Sequence, residues 1–191
     1  MKVPLSFQNT KYDCGTISFI NALAYLYDRE DIPIQLLKSV YKYTLDAEGP
    51  NHIPGEYGTS REAAKKLAES FITFANTNNF GIYCKELKGS EVDKNKMMEC
   101  LNNNGVIVAR CYQSSEHYVL ITKMDDVFTY IFDPYYLDEE YYYNDEDVAV
   151  VLNQMFTHNR LVKTSRLFSE DKKDFSLMEK DKREMILINR R

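Results

Sequence analysis

Apolar residues recur at helical spacing through the first part of the chain. The stretch after Asp13 is apolar on nearly every face and lacks Pro, which predicts a buried central helix over about 14–28. A second helix is predicted over about 32–45, and a third one begins at the capping-box pattern over 59–62. Residues 1–79 therefore form the helical half of the predicted fold.

The second half of the chain changes to short runs of β-branched and aromatic residues separated by polar turns, a pattern typical of strands. One helix is predicted within it, over 90–103. Strands are predicted over 81–87, 105–112, 117–123, 127–132 and 185–188. Residues 148–152 and 160–167 could be strands or one helix, and strands are preferred. Helices first and an antiparallel sheet afterwards predict an α+β fold, with a β-rich half over about 80–191 and a cleft between the halves.

The composition limits the class of protein. The chain has 191 residues, of which 44% are hydrophobic and 28% charged, and this predicts one globular domain over 1–191. A net charge of −5 argues against nucleic acid as a partner, and no apolar run is long enough for a membrane span. No signal peptide is visible and the four cysteines show no pairing pattern, so we expect reduced thiols and a cytoplasmic location.

Cys14 begins the predicted central helix and is the first candidate for chemistry. The partial positive charge of a helix N-terminus favours a thiolate over a thiol. Gly15 leaves room for another chain to approach, and Gln8, six residues before Cys14, carries an amide that can donate hydrogen bonds. A reactive thiolate with a nearby amide donor is half of an acyl-transfer site. A free Cys is also a common core residue, so further residues have to decide.

His117 has the best position for a general base among the three histidines. It opens a predicted strand after a polar turn, whereas His52 lies in a Gly/Pro-rich loop and His158 in a surface segment. Asp133 ends the next strand, before Pro134, where it can orient the His117 ring. Directly opposed residues share a face of a sheet, so this pairing requires an odd loop or a bulge in the hairpin.

Gln8, Cys14-Gly15, His117 and Asp133-Pro134 follow one another in this order, and together they resemble the C39-like group of papain-like peptidases. The resemblance implies a papain-like fold, with the Cys on a central helix and the His and Asp on an antiparallel sheet. It implies that Cys14 is the nucleophile and that Gln8 helps to form the oxyanion hole. His117 would then be the general base, oriented by Asp133. A peptide or amide substrate, a thioester intermediate and no cofactor or metal follow from it.

Two other functions remain open. The same Cys-His-Asp site can pass an acyl group to an amine, as in an acyltransferase or a transglutaminase-like enzyme, and a peptide-binding module can keep the fold without catalysis. Such a module would be expected to lose Cys14 or His117, and the chain keeps both. A zinc site is not predicted, because Cys84, Cys100 and Cys111 lack the short spacing of a zinc knuckle.

An acidic and tyrosine-rich stretch over 135–147 directly follows Asp133-Pro134. It either borders the cleft, where it would favour basic or polar ligands, or forms a solvated loop with partly packed rings. The second interpretation needs no ligand and is preferred.

Overall fold

One antiparallel sheet of seven strands is the framework of the protein in the computed structural model, which describes residues 1–191. Its strands are β1 (Ile82–Lys88), β2 (Gly105–Gln113), β3 (Ser115–Met124), β4 (Phe128–Phe132), β5 (Val148–Val150), β6 (Arg160–Lys163) and β7 (Glu184–Arg190). They lie in the order β1-β7-β2-β3-β4-β6-β5. The last strand of the chain is therefore an inner strand, paired with β1 on one side and with β2 on the other.

Five α-helices accompany the sheet: α1 (Cys14–Leu26), α2 (Ile34–Tyr43), α3 (Arg61–Asn78), α4 (Lys94–Asn102) and α5 (Thr164–Leu167). Together with the antiparallel sheet they confirm the predicted α+β class. The predicted strand over 160–167 is wrong in its second half, where β6 passes directly into α5. There Arg166 donates hydrogen bonds of 2.9 Å to Asp145 and Asp147, contacts that a local pattern does not reveal. None of the helices is long and apolar enough to cross a membrane.

Both faces of the sheet are buried, which explains why its inner strands are apolar on both sides. In β2, Val106 and Val108 pack with the helical half of the chain. Ile107 and Ala109 point to the opposite face, where they pack in a second cluster with α4 residues and with residues of 164–177. The sheet thus separates two hydrophobic clusters, and the first of them contains Cys14.

α1 packs between the sheet and the other N-terminal helices, so its apolar pattern on nearly every face corresponds to burial on nearly every face. Its Phe19 is fully buried. Two polar side chains of α1 fix its position: the Ser18 hydroxyl donates to the Tyr118 carbonyl at 3.1 Å, and Asn21 exchanges two hydrogen bonds with the Ser6 backbone. The helix is thus attached to β3 and to the N-terminal segment.

The start of α3 differs by one residue from the predicted capping box. Ser60 is the N-cap, and its hydroxyl accepts the Ala63 N–H at 3.1 Å. The same hydroxyl donates to Asp46, and Asp46 also accepts the Ser60 N–H. Thr59 therefore does not cap α3, and its side chain packs instead beside Gly15 in the first turn of α1.

Candidate active site

Cys14, His117 and Asp133 come from three separate elements and meet where β4 ends. Cys14 is the first residue of α1, His117 lies near the start of β3, and Asp133 follows the last residue of β4. The His117 Nε2 and Asp133 Oδ1 atoms are 2.8 Å apart, and both side chains are buried. The His117 ring also lies next to the Cys14 thiol, close enough for each group to shift the pKa of the other. Because Nε2 is engaged with Asp133, Nδ1 is the nitrogen that faces Cys14.

Cys14, His117 and Asp133 form a row in which each side chain is next to the following one. The charges in this Cys14–His117–Asp133 row favour a thiolate at Cys14 and an imidazolium at His117. Burial raises the pKa of the Cys14 thiol, but the hydrogen bond and the charge of His117 outweigh it, so the pKa of Cys14 is lowered. Backbone hydrogen bonds from Tyr118 and Gly15 lower it further. Burial lowers the pKa of His117, but the charge and hydrogen bond of Asp133, with those of Cys14, raise it to about 10. Each shift depends on the partner, as in an ion pair.

The first turn of α1 keeps its N–H groups without a side-chain cap. Asp13 occupies the N-cap position, yet its side chain makes no hydrogen bond to the helix. Its carboxylate instead accepts the N–H groups of Asn9 and Thr10, at 3.3 and 3.0 Å, and the Thr10 hydroxyl at 2.7 Å. This fixes the segment before α1 as a turn and leaves the helix N-terminus open to an anion.

The space beside Gly15 is filled by the chain itself. A Cβ atom at Gly15 would lie 2.7 Å from the Thr59 hydroxyl and 3.2 Å from the Tyr118 ring. The close approach that Gly15 allows is therefore made by the residue before the α3 cap and by β3. Room for a separate chain at this position, which the sequence led us to expect, is not found.

Gln8 lies beside the Asp133-Pro134 turn, because its backbone N–H donates to the Pro134 carbonyl at 2.9 Å. Its side-chain Nε2 donates to the Thr10 carbonyl at 2.6 Å, while its Oε1 is buried and has no hydrogen-bond partner. No hydrogen bond joins the amide to Cys14. The structure thus brings the Gln8 backbone to the site, and the side chain donates within its own turn.

A β-bulge in β3 decides on which face Asp133 lies. Between Ile121 and Lys123 the pairing of β3 with β4 shifts by one residue, which leaves Thr122 without a partner in β4. Without the shift, the pairing that begins at the turn would place Asp133 on the opposite face from His117. With it, both side chains share a face, as their hydrogen bond requires. Of the two possibilities derived from the sequence, an odd loop or a bulge, the chain uses the bulge.

Deleting Thr122 is expected to be tolerated, because losing the extra residue makes the ladder regular and keeps the pairing on both sides of the bulge. The free energy of unfolding in urea and the alkylation of Cys14 are the measurements. Deleting Tyr130 from β4 is the matched control, since it displaces every later residue of that strand, Asp133 included. Equal damage from the two deletions would contradict this account of the register.

Asp133 is held by groups that the sequence analysis does not single out. Asn159 accepts the Asp133 N–H and donates to the Asp133 carbonyl, both at 2.8 Å. Gln113 Nε2 donates to the Asp133 Oδ2 atom at 3.0 Å, and the Tyr135 N–H donates to Oδ1 at 2.9 Å. Asn159 precedes β6 and Gln113 ends β2, so the strand order brings them to Asp133. No local sequence signal could have found them.

The tyrosine-rich stretch over 135–147 is divided between rim and core. The Tyr135 ring stands at 85° to the His117 ring with centroids 6.4 Å apart, and Tyr135 is 40% exposed. Tyr136 is exposed and packs edge-on against Phe7. Tyr142, in contrast, is buried. Nine of the thirteen residues are exposed, so the stretch is the solvated loop with partly packed rings preferred from the sequence; it begins at the edge of the site, and Tyr142 is its one buried ring.

Four charged side chains lie together beside the site, at one end of the sheet. Arg110 pairs with Glu116, the residue before His117. Arg61 reaches Glu116 at 3.4 Å and the buried Glu184 at 3.5 Å. Burial raises the pKa of Glu184. The two guanidinium groups are thus matched by two carboxylates, and the cluster joins the start of α3 to the sheet.

Of the remaining cysteines and histidines, Cys111 lies directly opposite His117 on β2, and the others lie outside this row. Cys84, Cys100 and Cys111 are buried free thiols, and burial raises the pKa of each of them. His52 is exposed in its loop, and burial lowers the pKa of the half-buried His158. No group of three or more His, Cys, Asp or Glu side chains is placed to hold a metal ion.

Comparisons with known proteins add little to this geometry. No protein-family model matches the chain, and no curated protein matches it. Among solved structures, the chain is similar to a double glycine motif protease from an AMS/PCAT transporter, crystallised in complex with the leader peptide, with 16% sequence identity. The match covers 85% of this chain and 91% of that chain, with a TM-score of 0.37. Similarity at this level carries no functional conclusion, so function has to be inferred from the residues of the site.

Proposed function

We propose that this chain is a cysteine-dependent hydrolase of the papain-like, C39-like type, which cleaves a peptide or amide bond through a thioester. The observation that carries the proposal is the row Cys14–His117–Asp133. It has a 2.8 Å hydrogen bond between His117 and Asp133, a raised pKa at His117 and a lowered pKa at Cys14. A buried thiol whose pKa is lowered by its own His, at a helix N-terminus, is the kind of nucleophile that acyl transfer requires.

In the proposed mechanism the Cys14 thiolate attacks the carbonyl carbon and forms a C–S bond. The His117 imidazolium then gives its Nδ1 proton to the leaving nitrogen, the C–N bond breaks, and an amine leaves the thioester behind. His117 next takes a proton from water, the resulting hydroxide attacks the thioester, and the C–S bond breaks. A carboxylic acid is released and the ion pair of Cys14 and His117 is restored. Asp133 keeps the ring oriented throughout.

The negative charge of the tetrahedral intermediate needs donors that are fixed before it forms. The Cys14 backbone N–H, at the uncapped start of α1, is the first donor. Gln8 is the second: one hydrogen of its Nε2 atom is used by the Thr10 carbonyl, and the other remains to be donated to the oxyanion. The turn held by the Asp13 carboxylate keeps Gln8 at a set distance from Cys14.

The experiment that tests the function is capture of the acyl-enzyme. The protein is incubated with a library of blocked peptides and quenched in acid, and mass spectrometry then searches for new peptide termini and for an acyl group on the peptide containing Cys14. We expect both from the natural chain and from the control Cys100→Ala, which removes a different buried thiol. Neither is expected from Cys14→Ala.

Two further results of this experiment would distinguish a hydrolase from a transferase and from a binding module. Cleavage in ¹⁸O-labelled water should put the label into the new carboxyl group, whereas an added amine that captures the acyl group instead would identify a transferase. A protein whose Cys14 is alkylated readily, yet which forms no acyl adduct and cleaves no peptide, would refute the hydrolase and leave a binding module.

A further inference from the structure

A buried chain of hydrogen bonds continues behind Asp133, on the side away from Cys14. The Gln113 side-chain nitrogen Nε2 donates one hydrogen to Asp133 Oδ2, at 3.0 Å, and the other to the Tyr142 hydroxyl, at 3.2 Å. Gln113 is 9% and Tyr142 5% exposed. The orientation of the amide is dictated by its neighbours, because a carboxylate can only accept and the nitrogen therefore has to face it.

The two oxygens of Asp133 have different partners. Oδ1 accepts from His117 Nε2 and from the Tyr135 N–H, while Oδ2 accepts from Gln113. The bond to Gln113 therefore fixes the rotation of the carboxylate about its own axis. Without it, Oδ2 would be a buried, charged acceptor with no donor, and the carboxylate would turn toward other N–H groups.

Tyr142 is itself held firmly. The Arg160 guanidinium lies 5.5 Å from the centre of its ring, and the Phe175 ring packs at 5.9 Å. Three residues further on, Asp145 is fixed by Arg166, which donates to both of its carboxylate oxygens at 2.9 Å. The middle of the 135–147 stretch is thus anchored in the second hydrophobic cluster.

We propose that Gln113, supported by Tyr142, is a positioning residue that holds the Asp133 carboxylate in register with His117. This inference rests on the proposed function, since it assigns a role in the same reaction. It also gives the tyrosine-rich stretch a purpose: the backbone of Tyr135 and the hydroxyl of Tyr142 fix opposite oxygens of one carboxylate, directly and through Gln113.

Loss of the Gln113 hydrogen bond to Asp133 is expected to affect Cys14 through the His117 ring. When the carboxylate is no longer fixed, the His117 ring visits orientations in which Nδ1 points away from the thiol, and the hydrogen bond that lowers the pKa of Cys14 is made less often. Turnover then falls because the ring is misplaced, while substrate binding is not affected. Replacing a residue that only supports the fold would be expected to impair turnover and substrate binding together.

The test uses Gln113→Met, which keeps the volume and removes the donors, and Tyr142→Phe, which keeps the ring. We expect Gln113→Met to lower kcat by about tenfold with KM unchanged, and Tyr142→Phe to act in the same direction with a smaller effect. In both, the rate of Cys14 alkylation should shift toward higher pH. Tyr141→Phe is the matched control: its ring is the exposed neighbour, its hydroxyl bonds neither Gln113 nor Asp133, and no shift is expected.

The decisive comparison is made in the Asp133→Asn background. If Gln113 acts through the carboxylate, adding Gln113→Met to Asp133→Asn should change neither kcat nor the alkylation profile further. Equal losses in the two backgrounds, or a natural alkylation profile in Gln113→Met, would overturn the proposal. Alkylation of Cys14 needs no substrate, so its pH profile tests the positioning role of Gln113 even without peptide cleavage. A protein that cleaves no peptide would refute the proposed hydrolase and leave the positioning role to be decided by this profile.

Discussion

Replacing His117 by Ala is expected to slow the alkylation of Cys14 at pH 6 by about a hundredfold or more and to abolish hydrolysis. The reason lies in the opposed contributions to the pKa of the thiol. Burial raises this pKa, and the hydrogen bond and charge of His117 lower it. Without His117, burial is opposed only by the backbone hydrogen bonds from Tyr118 and Gly15, so the pKa rises and the thiolate fraction falls about tenfold for every unit of that rise.

The pH dependence of the Cys14 alkylation rate shows in which direction the pKa of the thiol is shifted. In the natural protein the alkylation rate should stay high to a lower pH than for an ordinary thiol and fall when the pH passes below the lowered pKa of Cys14. It should change again near pH 10, where His117 loses its proton. In His117→Ala the rate should rise with pH at or above the range of an ordinary thiol. The measurement is the rate of iodoacetamide labelling against pH, with Cys14 located by mass spectrometry.

His52→Ala is the control for this variant, because His52 lies exposed in its loop, outside the Cys14–His117–Asp133 row. It should label like the natural protein at every pH. An ordinary thiol titration in the natural protein, or identical profiles with and without His117, would show that no ion pair exists and would remove the basis of the proposed mechanism.

Replacing Asp133 by Ala is expected to damage both stability and turnover, whereas Asp133→Asn should affect mainly turnover. Asp133 is fully buried and accepts hydrogen bonds from His117, Gln113 and the Tyr135 backbone. Ala leaves these three donors buried without an acceptor, which should cost about 3–5 kcal/mol of the free energy of unfolding. Asn keeps the shape, so the fold should persist.

For Asp133→Asn we expect turnover to fall about ten- to a hundredfold, because the His117 ring loses its charged partner. This is orders of magnitude less than the loss expected for Cys14→Ala, since a thiolate is a strong nucleophile and depends less on the third residue. Turnover and urea unfolding are measured side by side for both variants.

Asp125→Asn is the matched control at the other end of the same hairpin. Asp125 also accepts backbone N–H groups, those of Val127 and Phe128, but it is only half-buried and lies beyond the end of β4 that is remote from the site. Its turnover should be unchanged. If both Asp133 variants kept natural turnover while Cys14→Ala was inactive, a Cys-His dyad would replace the triad and Asp133 would be only a turn residue.

The sequence predicts the parts of this fold that depend on local patterns. The helix that begins at Cys14 follows from an unbroken apolar stretch, and the strands that carry His117 and precede Asp133 follow from their β-branched and aromatic residues. The α+β order follows from the change of periodicity near residue 80. These features are encoded within a few neighbouring residues, and for that reason they can be read from one sequence.

Features that depend on pairing could not be predicted in the same way. The sequence shows that His117 and Asp133 need an odd loop or a bulge, but the place of the bulge, at Thr122, is set by packing on both faces of the sheet. Gln113 and Asn159 reach Asp133 only through the strand order β2-β3-β4-β6. The direction of a side-chain amide also depends on its neighbours in space, which is why the bond from Gln8 to the Thr10 carbonyl is not foreseeable.

The inner position of β7 has a consequence for how the protein is synthesised. Gln8, Cys14, His117 and Asp133 have all left the ribosome while residues 184–190 are still to be made. Until β7 arrives, β1 has no partner strand and β2 has a free edge, and free edges invite pairing with other chains. A nascent chain that stops before Glu184 would thus carry every reactive residue on an incomplete sheet. We therefore expect the ordered Cys14–His117–Asp133 row only after residues 184–190 have themselves left the ribosome and paired with β1 and β2.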